Sequence, residues 1–434
     1  MKGLHINRFA LLFLFFIIGI QGFHAQTFPG GADSISQAVS QKTKPGVPQV
    51  LFSGVVISKA SKPQSWYIPP AFDLFQFNTV EGFVINPGFS LTHRLKDEKF
   101  YVVKPNVRYG FGSGKALGRL SSIYYYSPHR QSAISVKGGR FVSQFDDRST
   151  LTPFANSFST LLAEENFLKI YVADFVEVGH RLMLAKHILL QNTVHLASRE
   201  SLQNLERFDD ANEAYTANAP LNHETAQTVF DRHQVFWQRT EIRWQAHSAY
   251  EYKRGQWMTS SSAPALTVKY KSAHANILGA DLSYQNITVG LEGRIEMGSL
   301  GKADLRLEAG DFITKDSLSF VDFTHFQGNR VAYSVFEPGT FQLLDYYSES
   351  TSGSYLRGHY LHKFNQLTNH RGIDPFQPVL EANLLLKEDT NYFEIGVGLQ
   401  GMAKPWRISF HSSWLAGRHD RSELRFGFVL SELQ

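Results

Sequence analysis

The chain has 434 residues, enough for two or three ordinary domains or for one large β domain. Charged residues make up 19% and aromatic residues 14%, against about a quarter charged in a soluble domain. The formal net charge of +4, about +2 once a leader carrying Lys2 and Arg8 is removed, argues for neither nucleic acid nor acidic substrates. There is no cysteine, which excludes disulfides, thiolate metal sites, a cysteine nucleophile and a lipidated amino-terminal cysteine.

The amino terminus reads as an export signal. A basic start leads into the apolar run FALLFLFFIIGI at residues 9–20, too short to span a bilayer as a helix but suited to a signal-peptide core. Residues 1–25 are expected to be removed by cleavage after Ala25, with Phe23 departing from the small-residue rule. Residues 26–77, with KTKPGVPQ and SKPQSWYIPP, are expected to form a short, loosely ordered periplasmic tail. Residues 78–434 are expected to form one domain. No later run is long and apolar enough for a spanning helix, so the exported chain is either soluble or a closed barrel.

From Tyr101 the apolar Tyr101, Val103, Val107, Tyr109 and Phe111 alternate with Lys104, Asn106, Arg108 and Gly110, as a strand with one wet face requires. The same split recurs at Ile242 and Trp244 against Glu241 and Arg243, and at Leu305, Leu307 and Ala309 against Asp304, Arg306 and Glu308. It returns at Phe393, Ile395, Val397 and Leu399 against Glu394, at Ile408 and Phe410 against Arg407, and at Leu424, Phe426 and Leu430 against Glu423 and Arg425. The wet-face charges Arg108, Asp304, Arg306, Glu308, Glu394, Arg407, Glu423 and Arg425 are therefore candidates for the lumen of a barrel, paired so as to fill and stiffen it.

A soluble sandwich alternates too, so period alone does not discriminate. Strand length, aromatic residues near segment ends (Tyr124 to Tyr126, Trp237, Tyr250, Tyr252, Trp257, Tyr346, Tyr347, Trp414) and wet-face glycines favour a barrel. The reading is an all-β fold, a single transmembrane antiparallel barrel of about 16 strands, with about 14 as the nearest alternative. Long connections at 144–166, 200–233, 315–338 and 366–378 are expected at one end, and the strand count puts that end on the periplasmic side with the termini.

Three motifs are tempting. RYGFGSGKALG at 108–118 fails the spacing of phosphate and dinucleotide loops and reads as a hairpin turn. His359 and His362 are three apart on a strand, so they face opposite sides and cannot share a metal. Ser, His and Asp residues are numerous, but no spacing singles out a hydrolytic triad.

FNTVEGFVINPG (77–88), VRYGFGSGKALGRL (107–120), ENFLKIYVADFVEVGHR (165–181), DFTHFQGN (322–329) and YYSESTSGSYLRGHYLHKFN (346–365) resemble the barrel region of an uncharacterised outer-membrane protein family, a domain of unknown function often joined to a carboxypeptidase-regulatory-like domain. IGVGLQGMAKPWRISF (395–410) and LRFGFVL (424–430) are distantly similar to BamA-type surface-antigen barrels. Near Tyr346 the uncharacterised family tends to carry Tyr-Tyr-Glu-Phe and an Asp-Arg pair, where this chain has Ser348-Glu349 and Gly353-Ser354. The surface-antigen Val-Arg-Gly-Phe signature is not found, nor is a preceding regulatory-like domain expected.

The expected protein is an integral outer-membrane barrel of a Gram-negative cell with a binding, transport or structural role, in contact with outer-membrane lipid and with no nucleic-acid partner. Protein partners stay open, and no cofactor or metal is expected. The resemblance implies, as an alternative, an outer-membrane assembly or translocation factor. An outer-membrane hydrolase is the third reading, although the sequence favours a protein that is not an enzyme.

Overall fold

The computed structural model describes residues 50–51, 54–59, 62–149, 151–208, 215–245, 250–253, 256–259, 263–331, 334–336, 339–366, 376–401 and 406–429. The expected signal peptide lies outside the described residues, as does Leu430.

The first strands are β1 (Val55–Ser58), β2 (Gln64–Ile68), β3 (Phe75–Asn78), β4 (Gly82–Ile85) and β5 (Ser90–Arg94), with a single helical turn α1 (Ala71–Leu74) before β3. Longer strands follow: β6 (Phe100–Gly110), β7 (Lys115–Ser127), β8 (Ser132–Gln144), β9 (Ile170–Ala185), β10 (Ile188–Ser201) and β11 (His233–Gln245), with helix α2 (Pro153–Ala163) between β8 and β9. After the separate hairpin of β12 (Tyr250–Lys253) and β13 (Gln256–Thr259) come β14 (Ala265–Ala273), β15 (Ser283–Glu296) and β16 (Lys302–Ser317). The two-residue β17 (Ser334–Val335) precedes β18 (Tyr355–Lys363), β19 (Phe376–Lys387), β20 (Asn391–Gly401), β21 (Trp406–Leu415) and β22 (Arg418–Phe428).

Twenty of these strands form one sheet. From β5 and β6 to β22 it is an up-and-down meander of antiparallel neighbours, with β2 and β1 continuing beyond β5; the exception is β17, which lies parallel to β22. Among the described residues no pairing joins β22 to β1, β2 or β3, so the sheet has a seam there. The expected tail is corrected in part: residues 55–58, 64–68 and 75–77 lie in the three paired strands β1, β2 and β3, the last with the apolar–polar alternation FQF.

Burial is inverted relative to a soluble sandwich. On β20 the apolar Phe393 and Val397 are 38% and 55% exposed, while Glu394 between them is 1% exposed. On β22 Leu424 is 68% exposed and its neighbour Arg425 4%. The outer rows of these strands are apolar, and their charged side chains are withdrawn to the inner face. No helix among the described residues is long and apolar enough to cross a membrane.

The glycine stretch at 108–118 is the predicted hairpin turn. Gly110 pairs with Lys115, Gly114 N–H donates to Gly110 O at 2.8 Å, and Gly114 takes a positive φ of 66°. Gly112 lies so close to Leu205 that an added Cβ would sit 2.3 Å from the Leu205 Cδ1.

Strands alternate in direction, which fixes the ends of the sheet. β6, β8, β10 and β16 all finish at one end, here called the upper end, whereas β22 finishes and β2 starts at the lower end. The connections after β8, β10 and β16 therefore lie together at the upper end, away from the end where the meander enters and leaves. Two expectations are corrected. The long connections are opposite the terminal end of the sheet, and the one between β18 and β19 is not with the other three, since the single strand β18 separates it from the connection after β16.

The three upper connections interlock. In α2, Thr152 caps the amino end by accepting from Ala155 N–H at 3.1 Å, and Ser157 Oγ accepts from Phe77 N–H at 2.8 Å. Asn218 Nδ2 donates to both Ile170 O and Leu202 O, and Asn222 Nδ2 donates to Tyr347 O, Ser348 O and Ser350 O. Trp237, Tyr346 and Tyr347, expected at a membrane girdle, belong instead to this interior, where Trp237 and Tyr347 join a core with Phe145, Tyr171 and Phe320.

Candidate functional site

The described residues of 318–354, between β16 and β18, enter the sheet's concave side as a strap. Thr324 and Thr351 pair across its base, β17 lies beside Gly427 and Phe428 at the lower end of β22, and Thr340, Phe341, Gln342 and Leu343 are fully buried. The strap thus runs down the inner wall and back again.

Both walls hold it. Glu394 on β20 accepts Gln342 N–H at 2.6 Å and Leu343 N–H at 3.0 Å, so one carboxylate caps two strap amides. Asn383 Nδ2 and Tyr392 Oη donate to the same carboxylate at 2.6 and 2.8 Å. On β22 the Arg425 guanidinium donates to Val331 O and Asn329 O, both at 3.0 Å. Glu423 pairs with strap residue Arg330 at 3.3 Å and with Arg425 at 3.1 Å. A carboxylate or guanidinium bonded to backbone satisfies groups that would otherwise be buried unpaired.

The opposite wall holds the strap through Asp322. Arg199 Nη1 on β10 donates to it at 2.6 Å, Lys271 Nζ on β14 at 2.9 Å and Tyr284 Oη on β15 at 2.6 Å. Burial alone would raise the Asp322 pKa. The Arg199 and Lys271 charges, with the hydrogen bonds from Arg199 and Tyr284, outweigh it and hold the carboxyl well below the usual carboxylate range.

The remaining sequence candidates also face inward. Arg108 is buried and bonded to Glu81 at 2.5 Å and to Gln76 at 2.7 Å. Asp304 pairs with Arg294 at 2.6 Å, and Arg306 approaches Glu292 at 3.9 Å. Glu308 meets Arg357 at 2.9 Å and Tyr355 Oη at 2.8 Å. Arg407 donates to Glu381 at 2.6 Å, and its guanidinium lies 4.4 Å from the centre of the Phe336 ring. Asp304, Arg306 and Arg407 share one pocket with His359, Gly339 and Phe336 between the strap and the wall. Glu394, Glu423 and Arg425 hold the strap beside it, whereas Arg108 sits apart near the first strands.

Sequence reading missed Asp322, Glu381, Arg199, Lys271 and Tyr284. Asp322 opens the quoted stretch DFTHFQGN, the one signal that could have found it. The two histidines stay apart: His359 Nδ1 bonds Asn383 at 2.9 Å and His362 Nε2 bonds Leu300 O at 2.8 Å. Among the described residues no group of three His, Cys, Asp or Glu side chains could hold a metal. Ser409 Oγ is 2.8 Å from His411 Nε2, but His411 Nδ1 is buried without a partner, so no acid orients this pair as a triad would.

These features define an all-β protein with an apolar outer face and a polar interior occupied by its own chain. The chain belongs to the family of unknown function DUF5686, whose C-terminal domain it matches over residues 48–399. No curated protein matches it. Among solved structures it is similar to BamA from Haemophilus ducreyi lacking POTRA domains 1-3, at 8% identity over 91% of this chain and 76% of that one, TM-score 0.47. It is also similar to CdiB from Escherichia coli, at 10% identity over 85% of this chain and 63% of that one, TM-score 0.39. A Rh. blastica porin mutant matches at 10% identity over 84% of this chain and 96% of that one, TM-score 0.33.

Proposed function

We propose that this chain is an integral β-barrel of the Gram-negative outer membrane whose lumen is occupied by the 318–354 strap, and that it serves binding or gated transport rather than free diffusion. The observation that carries this reading is the inverted burial, with Glu394, Arg407 and Arg425 inside and Phe393, Val397 and Leu424 outside. Only a lipid solvent favours that arrangement over such an area. The barrel would comprise about sixteen staves: the fourteen strands from β6 to β22 that remain when the β12–β13 hairpin and β17 are set aside, plus two interrupted staves, β2 with β3 and β4 with β5, with the short β1 paired along the outer edge of β2. Lipid demands that backbone groups along the seam be paired, which supports closure there in the membrane.

A barrel this wide conducts ions unless something fills it. The strap fills it in this reading. Purified chain in a planar bilayer is expected to show little steady conductance, and a variant with residues 323–351 replaced by a short Gly-Ser linker is expected to conduct freely. Equal, porin-like conductance in both would overturn the occupied-lumen reading.

A further inference from the structure

The wall opposite Glu394 carries more positive charge than the strap neutralises. Along the inner faces of β8 to β14, Lys137, Arg181, Arg199, Arg239, Lys269 and Lys271 outnumber the acids Glu177 and Glu241. Arg239 and Lys271 stand directly opposite each other in register, a pairing of like charges that costs stability unless an anion lies between. Glu177 is already engaged, with Lys137 at 3.8 Å and His195 at 3.1 Å. Asp322 supplies the carboxylate bonded to Arg199 and Lys271, and it does not bind Arg239, whose charge reaches Glu177 without an ion pair. Arg239 has no ion pair among the described residues and lies 5.5 Å over the Trp237 ring, while Arg199 Nε is buried without a hydrogen-bond partner.

We propose that Arg199, Arg239, Lys271 and Tyr284 form a binding site for a phosphoryl group, occupied in this structure by the Asp322 carboxylate of the strap, so that a phosphate-bearing solute competes with the strap for the wall. The proposal deepens the occupied-lumen reading and rests on it for its consequence, the release of the strap. A carboxylate brings one negative charge to three cations. A phosphoryl group brings about −1.5 to −2 at pH 7 and three acceptor oxygens, enough to use the Arg239 charge and the idle Arg199 Nε–H as well. The four side chains point to the lumen, so the ligand comes from its water and not from the bilayer.

Calorimetric titration of the full chain in detergent with inorganic phosphate, over a chloride background, tests the site. Asp322→Asn removes the competing carboxylate and is expected to bind phosphate at least about tenfold more tightly than the unaltered chain, a difference of about 1.4 kcal/mol. Arg239→Gln, which leaves every bond to Asp322 in place, is expected to weaken phosphate binding by about tenfold. Equal phosphate affinity of the Asp322→Asn variant and the unaltered chain, absence of binding to both, or indifference to Arg239→Gln would each overturn the site. Should Asp322→Asn fail to fold, the Arg239→Gln arm decides alone. None of these outcomes touches the bilayer conductance that tests the occupied lumen, so the two readings fail separately.

Discussion

At the scale of single residues, the chemistry that matters is the satisfaction of buried charge. Glu394 on the wall and Asp322 on the strap are both buried carboxylates, yet they solve the problem differently: Glu394 accepts from neutral amides and a phenol, whereas Asp322 faces two cations. The Asp322 carboxyl is depressed in the folded chain, so its contribution to stability is complete above the unfolded value of about 3.9 and is lost as pH falls from there toward the folded value. The difference in thermal midpoint between the unaltered chain and Asp322→Asn should be constant from about pH 7 to about pH 5 and shrink only below about pH 4. A difference that vanished already near neutrality would contradict the Arg199 and Lys271 anchor. Alternation made Glu394, Arg407, Glu423 and Arg425 legible as inward residues, because each is followed by an exposed apolar neighbour, and Glu394 and Arg425 are preceded by one as well. It could not reveal Asp322, which belongs to no strand and carries no period.

At the scale of elements, the strands were legible and the connections were not. A strand repeats every two residues, and β20, β21 and β22 keep that repeat without a break in phase over most of their length. Trp237 shows how composition can mislead where phase does not. As an aromatic residue near a segment end it suggests a membrane girdle, but it shares the odd-numbered phase of Glu241 and Arg243 and is buried on the same inner face of β11 on which they are half-buried. The strap has no such phase to read. Its path follows from partners contributed by six strands of both walls, contacts that exist only once the sheet has formed. The outer faces lend themselves to a direct test. Val397→Arg places a charge at the centre of an exposed apolar row and should cost about 2–4 kcal/mol in a lipid-embedded strand, where a water-facing position would tolerate it within about 0.5 kcal/mol. Denaturant midpoints in lipid vesicles measure the difference, and a near-neutral result would speak for a solvated outer face.

At the scale of the whole molecule, direction is set by counting strands. The single stave between the strap and the β18–β19 connection was enough to divide long connections that the sequence had suggested lie together. With short turns on the periplasmic side, the upper end bearing α2 and the strap base would face the outside of the cell. The natural absence of cysteine makes this measurable: Ser113→Cys at the upper β6–β7 turn should react with an impermeant maleimide on intact cells, and Lys186→Cys at the lower β9–β10 turn should not. The opposite pattern would put the strap base in the periplasm. Whichever way it points, the strap is fastened to β10, β14 and β15 on one side and to β20 and β22 on the other. It therefore acts as a tie-rod across the concave side of the sheet. Slackening either fastening would free the two halves of the wall to move apart, so the curvature of the sheet and the filling of its concave side are one mechanical property, to be kept or lost together.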